Sequence, residues 1–446
     1  MRNVLILGAG ISGLGAAHVL AERHCHVVIS DPAGVRDTHE KADLENAGCR
    51  FVVEEQTASL LSGIDTVVVS PVVPRENPVV QAALQRNIPV ISEIELAYRI
   101  FRGSILAVTG TNGKTTATTL LGRMLEKTGL PFAVGGNIGT SLSRIAGQIP
   151  EGGYIAAELS SFQLEFIDTF SPKAAVILNI TPDHMERHHT MEAYVAAKAR
   201  IFENMGPQDS LLLNQDDAYT MELAGRAKAH VYYFSSGNRV PEGACVEGEQ
   251  LLLRVDGQDL PLVKKEELQV RGAHNIADCL AAAFLAYKGG VPVSLIREAL
   301  LEYTALEHRI EYVRTLGGVD YYNDSKATNT DAVIKALESF TRPVILIAGG
   351  HDKETPIADF MQAVKSKVKH LVLLGAAAHR FKKAAVQAGV SNIAVVSSME
   401  TAIKNAQAHA EDGDIVLLSP ACSSFDMYHS YEERGRDFKR IVHALS

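Results

Sequence analysis

Residues Ser104 to Leu120 read SILAVTGTNGKTTATTL, an apolar run of strand type followed by a glycine turn and a helix start. A lysine stands where a nucleotide's phosphates lie in such a turn. Within the stretch, GTNGKTT (Gly110 to Thr116) closes in G-K-T as a P-loop does, but Val108 occupies the usual first glycine, so the loop is a shorter G-x-x-G-K-T form. The chemistry survives that change: backbone N–H groups and the following helix N-terminus face the phosphates, Lys114 reaches the β- and γ-oxygens, and the Thr115 hydroxyl can bind Mg²⁺. The expected nucleoside-triphosphate segment is therefore Gly110, Thr111, Asn112, Gly113, Lys114, Thr115 and Thr116. A merely structural turn is the alternative.

Upstream, VLILGAGISGLGAAHVL (Val4 to Leu20) also reads as strand, glycine turn and helix. Gly8, Gly10 and Gly13 form GAGISG, and Asp31 ends the next strand about 20 residues on, the context of a dinucleotide fingerprint. Two readings compete here: an NAD or FAD site, and glycines that serve tight strand-to-helix packing. Only about 90 residues precede the second loop, enough for one mononucleotide-binding half but short for the six-stranded unit that spans a dinucleotide. One nucleotide diphosphate still fits. SPVVPRENP (Ser70 to Pro78), a Ser/Pro turn after the fourth strand, falls on the same sheet edge. The chain therefore shows two phosphate-cradling devices, and its function has to explain both.

Working outward, strand-like and helical stretches alternate along the chain, which implies parallel sheets with right-handed crossovers. NVLIL, CHVVIS, CRFVV, DTVVVS and IPVIS mark a first unit, SILAVTG, YIAAELS, AAVILNI and DSLLLNQ a second, and GVDYYND, PVILIAGG, HLVLLGA, NIAVVS and DIVLLSP a third. The expected class is α/β in three domains: a Rossmann-like domain over 1–93, a central P-loop ATPase-type domain with a parallel sheet over 94–306, and a Rossmann-like domain over 307–446. The length of 446 residues fits more than one core. Apolar residues at 46% and charged residues at 21% describe an ordinary globular protein, and a net charge of −9 argues against a nucleic-acid polymer as partner. Five scattered cysteines without a C-x-x-C pair argue against a disulfide framework or zinc site and point to a reducing cytosol. The start MRNVLILGAG is too glycine-rich for a signal peptide, and no uninterrupted apolar run reaches about 18 residues, so a cytoplasmic protein is expected.

Three positions near the second loop could complete a metal site. Glu158 ends the strand YIAAE, from which a carboxylate can reach a loop-bound Mg²⁺; a solvated strand end is the plain alternative. His184 follows a strand in NITPDHMERH, near His188 and His189, without zinc-type spacing. Lys198, in AAKARIFENM, has the strongest plain reading, because most helix lysines face solvent.

TGTNGKTT, GGNIG (Gly135 to Gly139), ELSSFQLE (Glu158 to Glu165), NITPDHMERH, AAKARIF, GAHNIADCLAA, EHRIE, NDSKATN (Asn323 to Asn329) and LLSPACSSFD (Leu417 to Asp426) follow one another in that order. Together they resemble the Mur ligases, ATP-dependent enzymes that extend the peptidoglycan precursor peptide, over essentially the whole chain. NDSKATN followed by SPACSSFD is similar to the D-glutamate-adding branch, and the D-N-P-R-type motif of the diamino-acid-adding relatives does not occur.

The resemblance implies that the early turn holds the UDP part of UDP-N-acetylmuramoyl-L-alanine while the P-loop holds ATP. The substrate carboxylate would attack the γ-phosphoryl to give an acyl phosphate, which the D-glutamate amine then opens. It implies catalytic roles for Lys114, Glu158, His184 and Lys198, and two Mg²⁺ ions: Thr115 and Glu158 at one, His184 and Lys198 at the other, with Lys198 carbamylated. Gly10, Ile11, Ser12, Asp31, Ser70, Asn137 and His184 match the UDP-substrate side. Asn275, Arg309 and Asp324 match further ATP contacts. Lys326, Thr328, Lys353, Ser424, Phe425 and Tyr431 match the D-glutamate side. Three departures stand out: Tyr431 replaces a Phe, Lys353 an arginine of some members, and Val72 the glycine beside the pyrophosphate. A monomer acting on small molecules is expected.

Three rivals remain open at this level, one of them a regulatory NTPase switch that would hydrolyse nucleotide without any amine acceptor. A folylpolyglutamate synthase-like ligase would begin near its P-loop, whereas here an α/β unit precedes it. An NAD- or FAD-dependent oxidoreductase would use GAGISG and show flavin absorbance or nicotinamide-dependent turnover.

Overall fold

The computed structural model describes residues 1–35, 37–270, 272–304 and 307–445. Leu306, the end of the second expected domain, and the terminal Ser446 lie outside the described residues. Three sheets organise the chain. They fall into two compact units: Met1–Ile180 with Glu192–Leu268 and Asn275–Tyr303, and Thr181–Met191 with Gln269–His274 and Thr304–Ser446.

The first sheet has five parallel strands, ordered Arg50–Val52, His26–Ser30, Asn3–Leu7, Thr66–Val69 and Val90–Ser92. Successive side chains of a strand point to opposite faces. Val4 and Ile6 accordingly pack on Leu14, Ala17 and Leu20 of the helix Ile11–Glu22. Leu5 and Leu7 pack on Val79, Val80 and Ala83 of Pro78–Gln85. Burial on both faces explains why these strands read as continuous apolar runs. The strand order reverses between Asn3–Leu7 and Thr66–Val69, and at such a switch point an open α/β sheet leaves its ligand crevice.

The second sheet has nine strands, with Ser104–Thr109 between Ala174–Ile177 and Tyr154–Glu158. From Phe132–Gly136 across to Gly243–Glu247 the pairing is parallel. At that far edge Gln250–Val255 and Gln258–Lys264 add an antiparallel hairpin to the otherwise parallel sheet. Asp256 and Gly257 turn it with φ of 54° and 71°, the left-handed pair that a two-residue hairpin turn demands. Pro261, which cannot donate to a ladder, sits on the outermost strand.

The first expected domain and, apart from Thr181–Met191, Gln269–His274 and its last residues from Thr304, the second share one compact unit, in which the helix Glu93–Ile100 binds both sheets. The Glu95 carboxylate accepts the backbone N–H groups of Asp168, Thr169 and Phe170 and is paired with Arg99. Ser92 donates its N–H to the Phe166 carbonyl, and the Phe166 ring joins the core of the first sheet.

The third sheet, in the other unit, runs Glu311–Leu316, Val319–Asn323, Ile415–Leu418, Val344–Gly349, Val368–Leu374 and Ile393–Val395, parallel except for the first pair. Leu346 and Ala348 face Phe360 and Phe381 on one side. Ile345 and Ile347 face Ile403 and Phe438 on the other.

Candidate active site

The chain leaves the buried strand Ser104–Thr109 at Gly110, whose φ is 150°; a Cβ there would lie 2.9 Å from the Leu178 Cβ. Only glycine fits that approach. Asn179 then shapes the loop: its carbonyl accepts from the Thr111 N–H at 2.9 Å, its Oδ1 from the Asn112 N–H at 2.8 Å, and its Nδ2 donates to the Asn112 carbonyl at 3.0 Å. Gly113, with φ 87°, caps the helix Lys114–Glu126. A Cβ on it would meet Asp278 Oδ1 at 2.1 Å. The first turn of that helix, with Thr115 and Thr116, therefore begins directly at the loop, as a phosphate-binding terminus requires. The Lys114 Nζ donates to the Gly110 and Thr111 carbonyls at 2.9 and 2.8 Å.

Lys198 overturns its plain reading. It lies on the helix Met191–Ala199, its side chain is 1% exposed, and its Nζ donates to the Gly110 carbonyl at 2.7 Å. The nitrogen also lies 4.5 Å from the ring centroid of Tyr194, one helical turn back, whose hydroxyl is 3.2 Å from Thr111 Oγ1. Amphipathic lysines are rarely buried whole. Here the loop carbonyl and the aromatic face accept the charge.

Glu158 ends the strand beside the loop strand, in register with Val108. Its carbonyl and Oε1 are taken by the Asn137 backbone N–H and Nδ2, each at 2.8 Å. Its Oε2 is buried without a hydrogen-bond partner. An orphaned carboxylate oxygen in this position fits a hard divalent cation, which takes oxygen ligands. Asn275 lies buried on the helix Ala273–Gly289 of the same unit.

At the switch point of the first sheet, the Ser70 hydroxyl donates to the Gly8 carbonyl at 3.1 Å, and a Cβ on Gly13 would strike that carbonyl at 1.9 Å. Asp31 binds the turn itself, accepting from Ala9 N–H at 2.7 Å and Ala33 N–H at 2.9 Å. Gly10 opens onto free space, Ser12 is half-buried, and Ile11 and Val72 are exposed.

The other unit carries the remaining expected residues. His184 has φ 56° and caps Met185–His188; burial pushes its imidazole below the usual range, the neutral form that ligates metals. Buried Asp183 accepts the His184 N–H at 2.9 Å, and its Oδ1 lies 3.3 Å from the Lys353 Nζ. Lys326 donates its Nζ to the Tyr431 hydroxyl at 3.2 Å and its N–H to the His308 carbonyl. The Thr328 N–H bonds back to the Lys326 carbonyl. Asp324 is buried, accepts from the Ser419 hydroxyl at 2.7 Å and the Ile310 N–H at 3.2 Å, and is pushed up to about 7 by burial, which the Arg309 charge opposes. Ser424 is buried, whereas Phe425 is 71% exposed.

Sequence reasoning missed Asp183, Tyr194, Asp278 and Arg434. Arg434 is buried and spreads its guanidinium over the Ser325 hydroxyl and carbonyl and the Cys422 and Ser423 carbonyls, tying together the two loops that carry Lys326 and Ser424. Tyr194 was accessible from its spacing four residues before Lys198; the others have no local signal.

Three family models match the chain in order. They are described as "Mur ligase MurD-like, N-terminal domain" over residues 2–92, "Mur ligase middle domain" over 108–286, and "Mur ligase, glutamate ligase domain" over 308–422. The chain is 43% identical to the UDP-N-acetylmuramoylalanine--D-glutamate ligase of Pelotomaculum thermopropionicum, covering 100% of this chain and 98% of that one. It is 42% identical to the protein of the same name from Desulfitobacterium hafniense, covering 99% and 97%. Among solved structures, MurF from Acinetobacter baumannii superposes with TM-score 0.64 at 17% identity, covering 98% and 93%. The UDP-N-acetylmuramate-alanine ligase MurC of Thermotoga maritima does so with TM-score 0.60 at 19% identity, covering 100% and 99%. At those identities the structures speak for the fold.

Proposed function

The chain belongs to the Mur ligase family, and on that premise we propose that it is an ATP-dependent ligase joining D-glutamate to UDP-N-acetylmuramoyl-L-alanine in peptidoglycan precursor synthesis. The observation that supports this most directly is the buried, unpartnered Glu158 Oε2 on the strand next to the phosphate loop. The names of the full-length relatives support the choice of amino acid.

A carboxylate is a poor electrophile, so its oxygen first attacks the γ-phosphoryl of ATP and ADP leaves. The D-glutamate amine then attacks the acyl carbon, phosphate departs and the nitrogen loses a proton. The first step brings two anions together, and preorganised positive charge lowers that barrier. Magnesium, when bound, supplies part of that charge.

Lys114 turns from the loop carbonyls to the β- and γ-phosphates, and the segment Gly110 to Thr116 with the helix N-terminus at its end holds the rest. Thr115 and Glu158 would hold one ion, and His184 and Lys198 would hold a second. Lys198 does so as a carbamate: its neutral amine adds to CO₂ and sheds a proton, which exchanges a cation for an oxygen ligand. Its burial against the Gly110 carbonyl of the phosphate loop supports a place for it in the site. Asn275, Arg309 and Asp324 complete the ATP contacts. Gly10, Ile11, Ser12, Asp31, Ser70, Asn137 and His184 hold the UDP-substrate. Lys326, Thr328, Lys353, Ser424, Phe425 and Tyr431 hold D-glutamate. The expected domain roles over 1–93, 94–306 and 307–446 follow the same division. The enzyme acts as a monomer in the cytoplasm, a placement supported by its free cysteines and by the lack, among the described residues, of a helix long and apolar enough to cross a membrane.

Phosphate release with ATP, Mg²⁺ and UDP-N-acetylmuramoyl-L-alanine tests this. D-Glutamate supports turnover, and L-glutamate, L-lysine and meso-diaminopimelate do not. Efficient turnover of a folate in place of the UDP-sugar overturns the assignment.

A further inference from the structure

Three helices, Ile11–Glu22, Glu93–Ile100 and Leu142–Ala146, pack together around a carboxyl group that has no role in the chemistry above. Glu93 opens the second of them and is buried. Its Oε1 accepts the Ser143 backbone N–H at 2.5 Å, whereas its Oε2 is buried with no hydrogen-bond partner. The hydroxyls of Ser92 and Ser141 are buried in the same condition. Gly15 closes the third side: a Cβ there would lie 1.9 Å from Ser141 Oγ and 3.5 Å from Ser143 Oγ.

Two proposed substrate contacts depend on these helices. Leu142–Ala146 follows the segment that carries Asn137, whose side chain is bonded to Glu158. Ile11–Glu22 starts at the Gly10 turn. The helix that Glu93 opens thus packs on both the helix that starts at the segment assigned to the diphosphate and the helix that follows the segment assigned to the muramoyl-alanine end, and Glu93 itself bonds the latter.

A neutral acid suits these surroundings, because a buried carboxylate with only one oxygen hydrogen-bonded pays a desolvation penalty that the Ser143 bond offsets only in part. Burial pushes the Glu93 carboxyl up to about 7 against opposing hydrogen bonds from Ser143. The charged groups on the packed elements are engaged elsewhere. His18 of the first helix and Arg144 of the third both meet Glu40, at 3.2 and 2.7 Å, and Glu22 is exposed. On its own helix, Glu95 is bound by Arg99 and Thr169.

We propose that Glu93 is a proton-sensitive positioning residue for the UDP-sugar side of the reaction: as the neutral acid it fixes Leu142–Ala146 against Ile11–Glu22, and as the anion it draws water into the serine cluster and loosens both. The identity of the ligand rests on the ligase reading; the switch does not. The folded protein keeps this proton at pH values where the unfolded chain, at 4.5, has released it. Stability is therefore lost as pH rises from about 4.5 through about 7.

The test compares wild type with Glu93→Gln, an isosteric and permanently neutral variant, by calorimetric Tm and by the Kd for UDP-N-acetylmuramoyl-L-alanine from about pH 5.5 to about pH 8.5. Wild type loses several degrees of Tm relative to Glu93→Gln across that range, and its Kd weakens at least about threefold more, while ATP affinity in the two proteins changes in parallel. Parallel Tm and Kd profiles overturn the proposal. Absence of UDP-sugar binding at every pH rejects the ligase reading, and the Tm comparison still decides the role of Glu93. Should Glu93→Gln fail to fold, Ser141→Ala keeps the carboxyl and removes one hydroxyl: its Tm loss then continues to a higher pH than in wild type, and an unshifted profile overturns the proposal.

Discussion

Lys353 Nζ lies 3.3 Å from Asp183 Oδ1, and the same carboxylate holds the backbone of His184 and, through Oδ2, the Asn329 amide at 3.3 Å. A residue assigned to the amino-acid substrate and a residue assigned to metal are thus held by one buried acid that sequence reading passed over. Both partners of the pair are largely shielded from water, with side chains 14% and 7% exposed. Removing one partner of a buried pair strands the other charge, at a cost of about 3 kcal/mol. Asp183→Ala should lose that much in urea unfolding and should raise KM for D-glutamate, whereas an unchanged unfolding midpoint contradicts the pairing.

Lys114 holds two loop carbonyls. If it then turns to the phosphates, Lys114→Ala loses a charge-stabilising donor and kcat falls by about 10²-fold or more. Circular dichroism confirms folding; near-normal kcat in a folded variant removes the ATP role.

Lys198 is asked to carry a carbamate. Lys198→Ala should lose nearly all ligation while staying folded, and Lys198→Arg should fail too, since a guanidinium cannot form the carbamate. Acetate or formate should partly restore Lys198→Ala by offering oxygens to the metal in the vacated space. Measuring kcat with and without the acid decides, and an active Lys198→Arg enzyme ends the carbamate reading.

Asp324 is buried and pushed up to about 7 from an ordinary 3.8. The folded state therefore keeps a proton that the unfolded chain releases, and the group costs stability increasingly as pH rises through that window. Asp324→Asn should match wild type near about pH 4 and exceed it above about pH 7, by up to about 4 kcal/mol. Urea midpoints against pH check this; a constant difference between the two proteins refutes it.

Local patterns were enough for much of this molecule. Apolar runs marked every strand of the first sheet, all but Glu311–Leu316 of the third, and only Ser104–Thr109, Tyr154–Glu158, Ala174–Ile177 and Ser210–Asn214 of the second, because a strand buried on both faces has to be apolar throughout. GTNGKTT and GAGISG announced their turns because positive φ and close backbone approach demand glycine at Gly8, Gly110 and Gly113. Asp256-Gly257 carried an equally local hairpin signal, yet the βα rhythm masked it. What the sequence alone could not decide is what meets across long separations. Lys198 is a helix lysine like any other until the chain returns Gly110, 88 residues earlier, to its Nζ. Asp278 reads as a surface acid until Gly113 is seen against it, and Arg434 until two loops close on its guanidinium. Glu93 and Glu95 read as ordinary first-turn helix acids and are instead the join between two sheets. A side chain's desolvation and its partners are properties of the packed chain, set by segments that its sequence neighbours do not contain.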